Sequence, residues 1–378
     1  MRRLRNLGLF GLASLIVVIG LLSAFRAQLL PILFGVNLDA GSGGRAELSV
    51  PDGYAVNVFA EGLDGPRFMA VAPDGVLYVA ERGADRVIAL PDGDEDGVAD
   101  ELVEIGVGYG NAHDIEFEAD GSLLVAGEAT LYRVTLGAVA RREERREVVV
   151  DGLPTGGHST KTVEVLHDGD LLLSIGSSCD VCEEEDGRRA AISLVTPDGE
   201  SEVSMRGLRN AVGLWVDDAT DRAWATNMGR DALGDDLPPE TLYEVVVGAD
   251  AGWPRCHAGS LPDPEFGNEP DACDGVSAPA ATFPAHLAPL ALVGWEDHLV
   301  IAFHGSWNSS RKVGYALWRL PWNGGPAGDA EPFATGFLPE ADGDALGRPA
   351  GLAVGADGAL YVSDDKAGFI YRIARNGR

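Results

Sequence analysis

One short unit recurs six times along this chain, and this repeat limits what the chain can fold into. Each copy has an apolar run, a turn and a second apolar run, and the copies begin near residues 66, 111, 157, 209, 288 and 348. In the third copy, residues 162–166 alternate, Asp168-Gly169 is a turn signal and residues 171–175 form the second run. This pattern is typical of a β-hairpin, which returns the chain to its starting end. His158, before the first run, is therefore expected near residues 177–179, after the second.

The spacing of the copies predicts a β-propeller. Most copies are separated by about 45–60 residues, which is in the range of propeller blades. Each interval leaves room for two further strands, such as residues 86–90 and 102–105 after the first copy. We predict an all-β fold, a six-bladed propeller with four-stranded blades, over residues 49–378. Two stacked β-sandwich domains are the alternative, but a sandwich would not explain the repeat.

The N-terminus has the pattern of a membrane or export segment. Three arginines within the first five residues precede an uncharged apolar run over residues 7–25. We predict that residues 1–26 form a transmembrane signal-anchor helix or a signal peptide, and that residues 27–48 are a linker. No small-x-small cleavage site follows, which favours the anchor. The body is then exported to the periplasm or another extracytoplasmic compartment and tethered to the cytoplasmic membrane.

The four cysteines fit an exported protein. They fall as two pairs, for which the disulfides Cys179–Cys182 and Cys256–Cys273 are the simplest account. The second pair would hold together an insertion at about residues 253–285, in the wide gap before the fifth copy. A four-cysteine zinc site is the alternative.

Charge and missing motifs exclude several classes of function. The formal net charge of −30 argues against a nucleic-acid partner, because phosphate contacts need a basic face. The chain has no Gly-x-Ser-x-Gly elbow, no P-loop, no Gly-x-Gly-x-x-Gly after a strand and no His-Glu-x-x-His. Ordinary serine hydrolases, nucleotide hydrolases, Rossmann enzymes and zincins are thereby disfavoured.

Polar residues are expected to collect at one mouth of the propeller, where first strands begin and second strands end. These positions include Arg67, Arg82, His113, His158, Arg209, Asn210, His304, Lys312 and Arg348. Arg67, Arg209 and Arg348 share one phase of the repeat, and in so acidic a chain converging cations indicate an anionic ligand. His158 is a candidate general base, since neutral imidazole accepts a proton near pH 7. The alternative for each residue is a structural hydrogen bond or ion pair.

An acidic loop in the first blade resembles a calcium loop. Asp92, Asp94 and Asp96 alternate, and a glycine stands at the sixth position. Position 12 is Val103 and not Glu, so the loop is not an EF-hand. A structural Ca²⁺ and an acidic surface turn are the two interpretations.

Several motifs occur in one order along the six copies. They are the His158 hairpin, Gly207-Leu208-Arg209-Asn210-Ala211-Val212-Gly213-Leu214, Asn227-Met228-Gly229-Arg230-Asp231, Ala251-Gly252-Trp253-Pro254, His304-Gly305-Ser306-Trp307-Asn308 and Arg348-Pro349-Ala350-Gly351-Leu352. Over about residues 50–376 the chain resembles the soluble glucose and sorbosone dehydrogenase family of pyrroloquinoline quinone (PQQ) enzymes. The sorbosone-type branch is the more similar, because of Cys179-Asp180-Val181-Cys182 and the segment from Gly229 to Glu240.

The resemblance implies roles for individual residues. His158 matches the base that takes a proton from a sugar hydroxyl during hydride transfer to the quinone. Arg209 and Asn210 match residues that hold and polarise the quinone oxygens. By the same resemblance, Arg348 and Lys312 hold the acid groups of PQQ, and the backbone carbonyls of Gly229 and Arg230 bind Ca²⁺.

The chain also departs from the glucose-type pattern at three positions. Cys182 stands where those members have a sugar-contacting Gln, Ala350 replaces a second arginine, and Arg230 replaces the proline of the calcium pair. These departures bear on the substrate more than on the fold.

The resemblance implies a PQQ- and calcium-dependent dehydrogenase that oxidises a sugar or sugar aldehyde and passes electrons to an unidentified acceptor. One alternative is a non-catalytic propeller that binds a carbohydrate or protein. A second is a calcium-dependent lactonase with a ring of oxygen ligands, for which the candidates are Asn111, Asp114, Glu128, Asn210 and Asn227. The cation cluster favours the dehydrogenase.

Overall fold

The computed structural model describes residues 43–137, 141–341 and 343–377. Over these residues the strands form six four-stranded antiparallel sheets and one two-stranded sheet. Blade 1 contains β2 (Pro66–Val71), β3 (Leu77–Glu81), β4 (Arg86–Leu90) and β5 (Val103–Val107). Blade 2 contains β6 (Asp114–Phe117), β7 (Leu123–Ala126), β8 (Leu131–Leu136) and β9 (Glu143–Val150). Blade 3 contains β10 (Lys161–Val165), β11 (Leu171–Ile175), β12 (Ala191–Val195) and β13 (Ser201–Arg206).

The second half of the ring follows the same plan, with one insertion. Blade 4 contains β14 (Leu214–Asp217), β15 (Arg222–Asn227), β16 (Glu240–Glu244) and β19 (Ala281–Phe283). Between β16 and β19 lies the small sheet of β17 (Cys256–His257) and β18 (Leu261–Pro262). Blade 5 contains β20 (Pro289–Trp295), β21 (His298–Phe303), β22 (Ala316–Pro321) and β23 (Glu331–Ala334). Blade 6 contains β24 (Pro349–Val354), β25 (Leu360–Asp364), β26 (Phe369–Arg375) and β1 (Tyr54–Glu61).

Blade 6 closes the ring by joining distant parts of the chain. Its strand order is β24-β25-β26-β1, so the outermost strand comes from the beginning of the described chain. The pairing of β1 with β26 is antiparallel and places Tyr54 opposite Arg375. Closing a sheet ring in this way leaves no unpaired blade at the junction between the first and last repeats.

Neighbouring blades share apolar cores. One core cluster takes Tyr78 and Val87 from blade 1 and Ile115 and Leu123 from blade 2. Another combines blades 2 and 3 in the same way. A four-stranded sheet with two apolar faces cannot bury both alone, and stacking around a ring buries the inner surfaces of each pair of blades.

The first strands of the blades line the centre. Contacts run around the ring from β2 to β6, β10, β14, β20, β24 and back to β2. Carboxylates join these strands: Asp114 Oδ2 accepts from the backbone N–H of Val163 (2.8 Å), and Glu164 Oε1 accepts from that of Val216 (3.3 Å). Burial raises the pKa of Asp114 and of Glu164 well above their usual range. Because the first strands of all six blades line the centre, the segments that lead into them meet at one mouth.

These observations settle several expectations. The six-bladed propeller with four-stranded blades is confirmed, and the two-sandwich alternative is wrong. Both disulfides are confirmed, Cys179–Cys182 and Cys256–Cys273, so the four-cysteine zinc alternative is wrong. The anchor or signal peptide predicted at residues 1–26 lies outside the described residues. No helix in the described part of the chain is long and apolar enough to cross a membrane.

The shared core of blades 2 and 3 makes a testable contribution to stability. Leu171 is fully buried beside Leu124 and Leu131. We expect Leu171→Ala to lower the free energy of unfolding by about 2–5 kcal/mol, because it leaves a cavity between the blades. Val247→Ala is the control, since Val247 is 81% exposed, and should change it by less than about 0.5 kcal/mol. Urea denaturation measures both, and equal effects of the two substitutions would contradict this packing.

Candidate active site

The third blade presents His158 at the mouth. Lys161 pairs with Ile175 at the end of the β10–β11 hairpin, and this brings the segment before β10 beside the segment after β11. The backbone N–H of His158 donates to the carbonyl of Ser177 (2.8 Å), and His158 Nδ1 lies 2.8 Å from Ser177 Oγ. The expected proximity of His158 to residues 177–179 is therefore confirmed.

Glycine at position 176 allows the close approach of two site residues. A Cβ atom built at Gly176 would lie 2.5 Å from His158 Cβ and 2.6 Å from Asn210 Oδ1. A larger residue would push His158 and Asn210 apart, so the Gly-rich sequence of this loop has a direct packing cause. The structure thus brings His158 and Asn210 together, as the sequence predicted.

The environment of His158 keeps its imidazole neutral. Burial, and then the positive charge of Arg209, lower the pKa of His158 to about 4. A neutral imidazole has one nitrogen that can accept a proton. At neutral pH, His158 is accordingly in the state that a general base requires.

Arg209 is held by two carboxylates. Its side chain is 5% exposed, and Nη2 donates to Asp180 Oδ1 (2.8 Å) and Asp231 Oδ2 (3.0 Å). Its Nε donates to the carbonyl of Asp180 (3.0 Å), and the carbonyl of Arg209 accepts from the N–H of Ser177 (2.8 Å). Burial raises the pKa of Asp231 to about 6, against the opposing effect of Arg209. Ser177 therefore connects the two residues that the sequence predicted to be catalytic.

A second group of charges lies on blades 1, 5 and 6. Arg67 Nη1 forms an ion pair with Asp365, and Asp365 Oδ1 lies 2.9 Å from His304 Nε2. Arg348 donates to the carbonyls of His304 (2.9 Å) and Gly305 (2.6 Å). Although burial acts to raise it, His304 and Arg67 hold the pKa of Asp365 well below its usual range. Both arginines are thus linked to His304, Arg67 through Asp365 and Arg348 through the His304 carbonyl.

Two further cations connect this group to His158. Arg82 Nη2 lies 3.4 Å from the hydroxyl of Ser159, and burial and the nearby charge of Arg67 lower its pKa. Lys161 Nζ donates to the carbonyl of Ser159 (2.8 Å), and burial lowers its pKa to about 8. Mutually repelling, buried cations are the surroundings in which a polyanionic ligand is stabilised.

At this mouth, an imidazole nitrogen and an amide oxygen are buried without a hydrogen-bond partner among the described residues, as is Asp364 Oδ2. The first two are His113 Nε2 and Asn210 Oδ1. His113 Nδ1 lies 3.3 Å from Arg67 Nε, and burial lowers the pKa of His113 well below its usual value. Buried polar groups are normally paired, so these two atoms point to a ligand with polar edges. PQQ, a flat quinone with three carboxylates, has the charge and the polar edges that these residues fit.

The other residues predicted to bind the cofactor or calcium make hydrogen bonds and ion pairs with different parts of the protein. Lys312 Nζ donates to the carbonyl of Gly343 (2.9 Å) and lies 3.5 Å from Asp344 Oδ1. The guanidinium of Arg230, in contrast, pairs with Asp263 (2.6 Å) in the insertion. The N–H of Gly229 donates to Glu240 Oε2 (2.8 Å). Gly229 and Arg230 directly precede Asp231, which binds Arg209, so this segment lies within the same mouth.

The acidic loop of blade 1 gathers a different set of carboxylates from the one predicted. Oxygen atoms of Asp92, Asp94 and Asp100 lie within 4.8 Å of one another. Asp96 Oδ1 accepts from the N–H of Val98 (2.9 Å) and closes the turn. Asp100 is thus a further candidate beside Asp92 and Asp94, and the assignment of Asp92, Asp94 and Asp96 as calcium ligands stays a prediction.

The predicted ligand ring of a lactonase is not assembled by these contacts. Asn111 Nδ2 donates to Glu128 Oε2 (3.0 Å), and Asn227 Oδ1 accepts from the N–H of Asn210 (3.1 Å). Asp114 is already bonded to the backbone of the next blade. The oxygens of Glu128, Asn227 and Asp114 are used in separate hydrogen bonds, and the lactonase alternative gains no support.

The sequence did not single out several residues that organise this site. They are Asp180, Asp231 and Asp365. Asp365 comes directly after the second strand of blade 6, and that position in the repeat was the available signal. Nothing in the local sequence indicates that Asp180 and Asp231 would converge on Arg209.

One mouth of the six-bladed propeller holds a partly buried imidazole among several cations, as expected of an enzyme that binds a charged cofactor. Residues 48–239 and 261–376 match the TrAA12-like family, and the chain belongs to that family. This confirms the family resemblance to PQQ-dependent dehydrogenases that the motifs indicated.

Two curated relatives cover different shares of the chain. A PQQ-dependent pyranose dehydrogenase of Coprinopsis cinerea is 24% identical over 404 residues, 88% of this chain and 55% of that protein. An uncharacterized protein of Borreliella burgdorferi is 27% identical over 229 residues, 57% of this chain and 60% of that protein. The chain thus spans little more than half the length of these relatives.

Solved structures share the fold. The holo form of the PQQ domain of the C. cinerea pyranose dehydrogenase has a TM-score of 0.78 at 21% identity, covering 90% of this chain and 100% of that chain. A calcium structure of Trichoderma reesei family AA12 has a TM-score of 0.77 at 20% identity, covering 90% and 99%. A PQQ-bound aldose sugar dehydrogenase of Streptomyces coelicolor has a TM-score of 0.64 at 20% identity, covering 86% and 100%.

The depressed pKa of His158 gives a prediction for solution. We expect His158 to titrate near pH 4, and Arg209→Gln to raise that pKa because a neighbouring positive charge is removed. NMR titration of the imidazole measures both values, with Arg319→Gln on β22 of blade 5 as the control. Between pH 6.5 and 4 the unfolded chain binds a proton at His158 that the folded chain does not. This residue therefore lowers stability as the pH falls through that range. A pKa near 6.5 in the folded protein would contradict the buried site.

Proposed function

We propose that this protein is a PQQ-dependent dehydrogenase that oxidises a sugar or sugar aldehyde, with calcium supporting the cofactor. The observation that carries the proposal is a neutral, partly buried His158 beside Arg209 and a group of partly or fully buried cations. The names of the C. cinerea and S. coelicolor relatives, which bind PQQ and act on sugars, support it.

The chain's own residues would bind the cofactor by its charge. PQQ, when bound, supplies a quinone that accepts two electrons as hydride. Arg67 and Arg348 would hold its carboxylates, with Lys312 at the edge of the site, because arginine forms strong charge-assisted bonds to carboxylates. Arg209 and Asn210 would orient the quinone oxygens. The buried position of these side chains excludes water from the reacting groups.

His158 would move the proton. Within the described part of the chain, its Nε2 makes no hydrogen bond, while Nδ1 is bound by Ser177. Nε2 is therefore the atom that would accept the proton of a substrate hydroxyl. Arg209, close enough to affect the pKa of His158, keeps the imidazole neutral before the reaction.

Calcium is proposed at the loop that follows β15. The carbonyls of Gly229 and Arg230 and the carboxylate of Asp231 are oxygen donors of the type that calcium prefers. The acidic loop with Asp92, Asp94 and Asp100 is a proposed structural calcium site on the same grounds. Export to an oxidising compartment, with residues 1–26 as membrane anchor, is likewise proposed, and the two disulfides support it.

The experiment that tests the enzyme proposal is cofactor titration followed by turnover. The purified full chain is titrated with PQQ and Ca²⁺ while the quinone absorbance is followed, and aldoses and a dye acceptor are then added. We expect stoichiometric binding and dye reduction, with turnover lost by about 10²–10⁴-fold in His158→Gln. His167→Gln is the matched control, because His167 is exposed near the opposite end of the same hairpin. Absence of binding at micromolar PQQ would reject the proposal.

A second prediction concerns the arginines alone. Arg348→Met should weaken PQQ binding by about 10- to 100-fold, as expected when a charge-assisted hydrogen bond worth about 1.5–3 kcal/mol is lost. Arg319→Met, which removes an exposed pair with Glu331, is the control. An unchanged dissociation constant in Arg348→Met would place the cofactor elsewhere.

A further inference from the structure

The Cys179–Cys182 loop contacts Arg209 directly and His158 through Ser177. Within the loop, the carbonyl of Asp180 accepts from Arg209 Nε (3.0 Å) and from Trp253 Nε1 (3.2 Å). The carbonyl of Cys179 accepts from Ser177 Oγ (2.6 Å), and the same Oγ lies 2.8 Å from His158 Nδ1. One small disulfide-closed loop thus borders the base and the arginine together.

The hydrogen atoms in this chain of contacts can be assigned. A carbonyl oxygen only accepts, so the contact between Ser177 Oγ and the Cys179 carbonyl must contain the hydroxyl hydrogen of Ser177. A serine hydroxyl has one hydrogen, and Ser177 Oγ is then an acceptor toward His158. Nδ1 of His158 must therefore carry a hydrogen, and in the neutral ring Nε2 is bare.

We infer that Ser177 and the Cys179–Cys182 disulfide fix the tautomer of His158, and that reduction of this disulfide releases it. Ser177 is a positioning residue in this scheme, since it touches the base and not the substrate. The catalytic consequence rests on the proposed function, whereas the tautomer is a property of the protein alone.

In this proposal, the disulfide holds the Cys179 carbonyl in place. It links Cys179 to Cys182, three positions apart, and limits the movement of a loop whose Asp180 carbonyl binds Arg209 and Trp253. Reduction by a dithiol breaks the S–S bond. Each sulfur gains one hydrogen, and the dithiol gives up two electrons and two protons as it closes to its own disulfide. Once the carbonyl moves away, the Ser177 hydrogen can turn toward Nδ1, and the ring hydrogen is then carried on Nε2.

The two disulfides differ in access, which allows selective reduction. Cys179 and Cys182 are both partly exposed, whereas in the second disulfide Cys273 is partly exposed and Cys256 is fully buried. A dithiol at low concentration should therefore reduce Cys179–Cys182 first. Mass spectrometry after thiol alkylation shows which pair has opened.

The test is NMR of the full chain without cofactor, labelled with ¹⁵N in histidine, at neutral pH. Long-range nitrogen–proton correlations identify which ring nitrogen carries hydrogen, and the His158 signals are assigned by their loss in His158→Gln. We expect hydrogen on Nδ1 in the oxidised protein, and a rise of the Nε2–H form after selective reduction or in Ser177→Ala. Ser178→Ala is the matched control, because Ser178 is exposed and has no bond to His158.

Each outcome decides the inference. Nε2–H in the oxidised protein, or an unchanged tautomer after Cys179–Cys182 has opened, would overturn it. The reduction experiment uses the unmodified chain, so a folding failure of Ser177→Ala leaves the test intact. Because no cofactor is present, failure of PQQ to bind would reject the proposed function without touching this result.

A kinetic readout follows if the enzyme is active. In Ser-His-Asp enzymes, a wrong tautomer lowers kcat by up to about 10⁴-fold. Ser177→Ala, which removes only the hydroxyl beside His158, should lower kcat by about 10- to 1000-fold and leave KM and PQQ affinity unchanged. A change in KM or PQQ affinity with constant kcat would assign the loop to ligand binding and overturn the positioning role.

Discussion

The pairing of β1 with β26 is the constraint on which the rest of the structure depends. It joins the beginning of the described chain to its end and closes six blades into a ring. Only a closed ring places blade 1 next to blade 6. The ion pair between Arg67 and Asp365, which are 298 residues apart in sequence, exists for this reason. The cation-rich mouth is in this sense a product of closure.

The mouth differs from the rest of the protein in the sign of its charged groups. The chain as a whole is strongly acidic, yet buried cations gather beside His158. The carboxylates of Asp180, Asp231 and Asp365 hold the arginines in position without neutralising the whole group. Such a fixed arrangement favours an anionic ligand and keeps the nearby imidazole neutral. The same arginines therefore have two roles: their ion pairs hold them in position, and their positive charges favour an anionic ligand.

The sequence predicted the features that depend on local or repeated geometry. The hairpin repeat gave the blades, and it placed His158 beside Ser177 because a hairpin aligns its own ends. The disulfides followed from spacing and compartment. Asp365 and the two carboxylates around Arg209 were not predicted, since their contacts depend on loop conformation and on the closed ring. The proximity of Asp100 to Asp92 and Asp94 was not predicted for a related reason: alternation along a loop does not determine which carboxylates turn inward.

The central claim is that the mouth around His158 and Arg209 binds PQQ with His158 as the base. A crystal structure of the full chain grown with PQQ and Ca²⁺ tests this claim most directly. The account predicts a bound quinone in contact with Arg209 and Asn210, its carboxylates on the arginines of blades 1 and 6, and His158 Nε2 facing the space left for substrate. PQQ bound at any other surface, or a mouth that stays free of PQQ at saturating concentration, would contradict it.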